Sequence, residues 1–181
     1  NEGCTHKCSV CGKCLDPDCQ ATSCLDKCGE DTIGHDHIFN AVDAELTNGA
    51  KNFSTTEQSG ALGNVDQNKG ATITFRVNAE KAGTVNLLLS FNYRDQRRLI
   101  TSGMSINVNG VDMVSSAMRP ASPLNNSHWN TFVEINLGCV ELKEGENVIV
   151  LTVLTDKDRD NSNLMYLNLR GDNNITWSEQ N

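Results

Sequence analysis

The sequence predicts an all-β sandwich that follows a short cysteine-rich segment, and three observations carry this prediction. Seven of the eight cysteines lie between Cys4 and Cys28, where too few apolar side chains occur to form a core without cross-links. From about residue 38 onward, apolar and polar residues alternate in short runs, which is the period of half-buried strands. Turn residues separate these runs, and no segment has the apolar stripe of a helix.

The strands can be assigned in order along the chain. Runs of alternating apolar residues predict strands at 72–77, 85–93, 106–108, 133–137 and 165–169. The run Val148 to Leu154 is apolar on both faces, which is typical of a central strand that is covered on both sides. Turns are predicted at Asn109-Gly110 and Glu144-Gly145. The predicted organisation is a cysteine-rich segment with linker at 1–37, a sandwich at 38–171 and a tail at 172–181.

Composition excludes several classes of function. The formal charge of -8 argues against nucleic acid as a partner, because phosphate binding needs clustered Lys and Arg. The longest apolar runs are far shorter than the roughly 20 residues that cross a bilayer. No nucleophile elbow, phosphate loop or HExxH motif occurs, and no pair of carboxylates has a spacing that marks a glycosidase site. We therefore predict that this chain is not an enzyme, and its start at Asn1 suggests a piece of a longer polypeptide.

The cysteine-rich segment has the composition of a metal-bound or disulfide-linked knot. Its seven thiols and one imidazole would fill two tetrahedral zinc sites. Such zinc ions would be structural, because no coordination position stays open for water or substrate. Disulfides are the alternative. Seven thiols leave one over if the rest pair locally, and Cys139 could then pair with it to make four bridges. A lone buried thiol at Cys139 is the simpler interpretation, and zinc is preferred for the segment. The predicted zinc ligands are Cys4, His6, Cys8, Cys11, Cys14, Cys19, Cys24 and Cys28.

Six segments of the sandwich, taken in order, resemble carbohydrate-binding modules of families six and thirty-five. They are FNAVDAELTNGAKN from Phe39, LLLSFNYRD from Leu87, INVNG from Ile106, HWNTFVEINL from His128, EGENVIVLTV from Glu144 and NLMYLNL from Asn163. The resemblance implies a galactose-binding-like jelly roll, and thus a jelly-roll β-sandwich for residues 39–171. It also implies a non-catalytic module that targets an attached glycoside hydrolase to a poly- or oligosaccharide. Such a module would be a monomer in a secreted or cell-surface bacterial protein. The alternative to sugar binding is a spacer or protein-interaction module that has lost its sugar site.

Two departures from the resemblance concern the structural calcium of these families. Asn40 and Val42 stand where the families offer glutamates, and Met165 stands where they offer an aspartate. Calcium needs several oxygen ligands, and the side chains of Val and Met supply none. We therefore predict that the conventional family calcium is absent.

The resemblance also places the candidate sugar-binding residues. Tyr93 and Trp129 would stack on a sugar ring, and Asn163 would bond to its hydroxyls, although Tyr93 and Trp129 could equally belong to the core. Arg97 and Arg98 crowd one loop of an acidic chain and could bind a uronic or sialic acid bidentately. Surface ion pairs with nearby acids are the competing interpretation of these arginines.

Overall fold

The computed structural model describes residues 34–53, 64–66, 69–92, 98–119, 132–154 and 163–178. Fourteen strands lie in these ranges, together with a 3-10 helix at Ala41–Asp43 and a short helix, α1, at Ile100–Gly103. The strands are β1 His35–Asn40, β2 Glu45–Thr47, β3 Lys51–Phe53, β4 Asn64–Asp66, β5 Thr72–Ala79, β6 Gly83–Asn92, β7 Arg98–Leu99, β8 Met104–Val108, β9 Val111–Asp112, β10 Met118–Arg119, β11 Phe132–Leu142, β12 Gly145–Val153, β13 Leu164–Gly171 and β14 Ile175–Trp177.

The strands form two antiparallel sheets and a short ribbon. The first sheet has the order β11-β6-β13-β4-β3, and β1 pairs with β13. The second sheet has the order β14-β5-β12-β8-β9, and β2 pairs with β5. β7 and β10 form the two-stranded ribbon. The predicted central position of the run from Val148 is confirmed, because β12 pairs with both β5 and β8. The predicted cover on both faces is not seen, since Val148 and Val150 are half-buried and Leu154 lies beyond β12 and is 46% exposed. Neither helix in the described ranges is long and apolar enough to span a bilayer.

The core lies between the two sheets and consists of the alternating apolar residues found in the sequence. Leu87 and Leu89 of the first sheet and Phe75, Ile149 and Leu151 of the second are fully buried. Burial of each such side chain contributes roughly 1.5–3 kcal/mol. The predicted β-sandwich is therefore confirmed, whereas the cysteine-rich segment lies outside the described residues.

Both ends of the sandwich extend beyond the boundaries of 38 and 171 that the sequence suggested. β1 begins at His35, and β14 continues to Trp177. The Trp177 ring meets Phe39 edge-on at 5.1 Å and stacks on Phe75 at 6.0 Å. Three residues of β14 are too few to show a period of two, and polar residues fill most of β1, so the alternation of apolar residues indicated neither strand.

Two bulges change which side chains face the core. A register shift between Leu164 and Tyr166 places Leu164 in the core, and Met165, which was predicted to point inward with Leu167 and Leu169, is half-buried instead. A second shift in β11 lies between Asn136 and Gly138, where Gly138 has φ +120°. This conformation favours glycine because it has no Cβ.

Candidate functional site

One end of the first sheet gathers the segments that carry the predicted binding residues. β6 ends at Asn92, β11 begins at Phe132 directly opposite Asn92, and β13 begins at Leu164 opposite Phe91. The chain therefore leaves or enters three neighbouring strands at the same end of the sheet. Loops that cluster at one end of a sandwich are a common place for binding residues, because the sheets hold their bases rigidly.

Asn163 is held firmly at this end by Asn92. The backbone N–H of Asn163 donates to Oδ1 of Asn92 at 2.8 Å, and the backbone N–H of Asn92 donates to the carbonyl of Asn163 at 3.2 Å. Asn163 is 4% exposed and Asn92 is fully buried. The Nδ2 of Asn92 is buried and has no hydrogen-bond partner among the described residues, so this end of the sheet holds a donor that a water or ligand oxygen would satisfy. Asn92 was not predicted as a site residue, because the alternation along β6 places it among the outward-facing polar residues of the strand.

Of the four other predicted binding residues, only Arg98 lies among the described residues. Tyr93, Arg97 and Trp129 lie outside the described residues, as do all eight predicted zinc ligands. Arg98 is the first residue of β7, and its backbone pairs with Arg119 of β10. The structure thus shows where Asn163 and the backbone of Arg98 lie, and their roles in binding stay predictions.

A polar network covers part of the outer face of the first sheet, which is the face turned away from the core. Asn168 is fully buried and has three partners: it accepts from the backbone N–H of His37 at 3.1 Å and donates to Asp36 at 3.0 Å and to Glu134 at 2.9 Å. Arg170 donates to the same two carboxylates, at 2.5 Å and 2.9 Å. Since β6 lies between β11 and β13, the bond from Arg170 to Glu134 spans β6 on the outer face.

The network shifts the pKa values of its members. The hydrogen bond from Arg170, supported by that from Asn168, lowers the pKa of Asp36. The bond to Asp36 raises the pKa of the Arg170 guanidinium. Burial and then the charge of Glu134 raise the pKa of the Tyr166 phenol. The sequence did not reveal this network, because its members come from three strands that lie far apart along the chain.

We expect the Asp36 contribution to stability to disappear in acid. Its pKa is lowered on folding, so the stabilisation is complete above the unfolded value of about 3.9 and is lost as the pH falls through the folded value. The carboxylate is half-exposed, so the effect is at most about 1 kcal/mol. Urea unfolding of the wild type and Asp36→Asn should differ at pH 6 and converge toward pH 2. A constant difference would contradict this assignment.

The positions that depart from the family calcium pattern carry little metal-binding chemistry. Asn40 donates from Nδ2 to Oδ2 of Asp43 at 3.3 Å, and the apolar side chains of Val42 and Met165 offer no oxygen ligand. In the described part of the chain, no group of three or more His, Cys, Asp and Glu side chains could hold a metal ion. The absence of the family calcium stays a prediction.

Calcium should therefore not change the thermal stability of this chain. A site filled at one hundred times its Kd would stabilise the fold by about 2.7 kcal/mol, which raises Tm by several degrees. We expect Tm in millimolar CaCl2 and in EDTA to agree within about 1 °C. A fall in Tm on adding EDTA that CaCl2 restores, and MgCl2 does not, would show that the prediction is wrong.

Comparison with known proteins identifies the fold. No family model and no curated protein matches the chain. A family 35 carbohydrate binding module from Clostridium thermocellum is 24% identical with a TM-score of 0.59, over 80% of this chain and 99% of that chain. A family 35 module from an environmental isolate is 20% identical with a TM-score of 0.60, over 80% of this chain and 99% of that chain. The described sandwich has the fold of these modules, which confirms the predicted resemblance to family thirty-five at the level of the fold.

A longer protein shows the same fold within a larger chain. The Podospora anserina GH26-CBM35 β-(1,4)-mannanase is 17% identical with a TM-score of 0.56, over 82% of this chain. The match covers only 28% of the mannanase. This chain therefore spans nearly the whole of the isolated modules and about a quarter of that enzyme.

Proposed function

We propose that this chain is a non-catalytic carbohydrate-binding module that targets an attached glycoside hydrolase to a poly- or oligosaccharide. The observation that carries the proposal is the shared fold with isolated family 35 modules over 99% of their length, with no large part of those modules left unmatched. The fold also occurs within a mannanase chain, which supports a catalytic partner in the same polypeptide. Fold alone does not fix function, which depends on the residues of the binding site.

The binding site proposed here is the end of the first sheet at Asn92 and Asn163. Tyr93 directly follows β6 and Trp129 lies three residues before β11, so both are carried by segments that reach this end. Their rings would cover the apolar face of a sugar, and Asn163 would bond to its hydroxyls from a backbone that Asn92 fixes. A site held in this way loses little conformational entropy when it binds.

The carboxylates of the described network are poorly suited to hydrolysis. A glycosidase needs one protonated and one ionised carboxyl group that flank the scissile bond. Asp36 and Glu134 instead share Arg170 and Asn168, and the pKa of Asp36 is lowered, which keeps it ionised. This arrangement supports a binding role in place of a catalytic one.

An extracellular location fits the chemistry of the single cysteine of the sandwich. Cys139 is disulfide-bonded, and disulfides persist mainly in secreted and cell-surface proteins because the cytosol keeps thiols reduced. The sequence had favoured a lone buried thiol at this position, and the structure corrects that interpretation.

Replacement of the proposed stacking rings should weaken sugar binding strongly. We expect Tyr93→Ala and Trp129→Ala to weaken binding to a glycan identified on an array by at least tenfold, or about 1.4 kcal/mol. Trp177→Phe is the matched control, since Trp177 packs on Phe75 in the sandwich, and it should leave Kd unchanged. Circular dichroism verifies folding, and calorimetry measures Kd.

The same array separates the competing functions. Neutral and uronate-bearing glycans at two salt concentrations test whether Arg97 and Arg98 bind an acidic sugar, because such binding weakens with salt. No glycan binding at any concentration would favour a spacer or protein-interaction module. Turnover of a chromogenic glycoside would overturn the non-catalytic assignment.

A further inference from the structure

The bulge in β11 turns Cys139 away from the core. Val133, Ile135 and Leu137 alternate inward, and an unbroken strand would continue this row with Cys139. The register shift at Gly138 reverses the alternation, so Val140 and Leu142 face the core instead. Cys139 then pairs with Asn86 on the outer face, where its sulfur lies 3.8 Å from Asn86 Oδ1.

β1, the first described strand after the cysteine-rich segment, shares the outer face of the first sheet with Cys139. Asp36 pairs with Arg170, Arg170 pairs with Asn86, and Asn86 pairs with Cys139, so these four residues form one row across β1, β13, β6 and β11. Three strand spacings of about 4.8 Å separate the ends of this row by roughly 14 Å. Cys28 precedes Asp36 by eight residues, which can span up to about 26 Å. A connection of that length is long enough for a cysteine of the segment to reach Cys139.

We propose that Cys139 forms an intramolecular disulfide with a cysteine of the segment Cys4 to Cys28, which fastens that segment to the outer face of the first sheet. Cys139 is disulfide-bonded, and it is the single cysteine of the described residues. The seven other cysteines of the chain all lie between Cys4 and Cys28. Once one of these seven thiols pairs with Cys139, the other six can pair among themselves.

Formation of this bond is a two-electron oxidation. Two S–H bonds are lost, one S–S bond forms, and two electrons and two protons pass to an oxidant. A small-molecule disulfide such as oxidised glutathione serves as that oxidant and is itself reduced to two thiols.

The proposed disulfide changes what the cysteine-rich segment can bind. Two tetrahedral zinc sites need eight ligands, which would use all seven thiolates and His6. If one thiol is oxidised with Cys139, seven ligands remain and one site is incomplete. The pairing therefore favours four disulfides over two fully protein-bound zinc ions.

Peptide mapping of the full chain, purified under oxidising conditions, tests the proposal. The protein is denatured without reductant, its free thiols are alkylated, and the digest is analysed by mass spectrometry. We expect the Cys139 peptide to be unalkylated and linked to a peptide from residues 1–30, and to separate from it after reduction. Alkylated Cys139 in the monomer, or a link between the Cys139 residues of two chains, would overturn the proposal.

The Cys139→Ser variant supplies an independent readout. It should expose one additional alkylatable thiol per chain, located between Cys4 and Cys28, whereas Ser105→Ala should expose none. An unchanged thiol count in Cys139→Ser would contradict the pairing. The inference does not rest on sugar binding, since the linkage is measured by mass whether or not a glycan binds.

Discussion

Phe75→Ala should destabilise the sandwich by about 3–5 kcal/mol, the largest effect that we expect from a single substitution. Phe75 is fully buried in β5, between β2, β12 and β14 of the second sheet, and Trp177 stacks on its ring. Removal of the ring leaves a cavity beside Trp177 and exposes that indole, so both the transfer free energy and the packing contacts are lost.

Urea unfolding followed by circular dichroism measures this loss as a fall in the midpoint at a constant slope. Val114→Ala is the control, since Val114 is 95% exposed and its truncation should change stability by less than about 0.5 kcal/mol. A loss below about 1 kcal/mol for Phe75→Ala would mean that the second sheet does not pack in the way described.

Asn168→Asp should destabilise the protein by about 3 kcal/mol at pH 7, the second largest effect that we expect. The amide of Asn168 donates to Asp36 at 3.0 Å and to Glu134 at 2.9 Å, and it is fully buried. An aspartate there has no donor for either carboxylate and adds a third negative charge beside Arg170, which can neutralise one charge only. Like charges and burial both raise the pKa of a carboxyl group.

The pH dependence distinguishes this mechanism from simple loss of two hydrogen bonds. Since the new carboxyl group has a folded pKa above its unfolded value, its penalty is full at high pH and shrinks as the pH falls through the folded pKa. The gap between the variant and the wild type should therefore narrow from pH 7 to pH 4. Asn52→Asp, the same change at an exposed position, should cost little at either pH. A gap that is independent of pH would refute the electrostatic explanation.

The strands that carry the core could be predicted because their buried apolar residues recur at every second position of the sequence. Ile73, Phe75 and Val77 are buried along β5 as their alternation indicated, and Asn109 and Gly110 both adopt positive φ at the predicted turn. β1 and β14 could not be predicted in this way, because pairing with β13 and β5 fixes them more than their own apolar residues do.

The candidate site was predicted less completely than the fold. Asn163 could be chosen from the family resemblance, but its partner Asn92 lies 71 residues away, and nothing in the spacing links them. The network around Asn168 could not be predicted for the same reason. Asp36 and Glu134 come from strands that are distant in sequence and meet only across β13 and β6. Polar contacts of this kind depend on register, which a pattern of apolar residues fixes only after every bulge is known.

By itself, the sequence determined the all-β class and the apolar faces of the central strands. The tertiary structure alone decided the direction of Cys139, because the single bulge at Gly138 turns that side chain from the core to the outer face. It also decided that Asp36, Arg170, Asn86 and Cys139 share one row. Apolar burial acts on each strand locally, whereas the register between strands is a property of the assembled sheet.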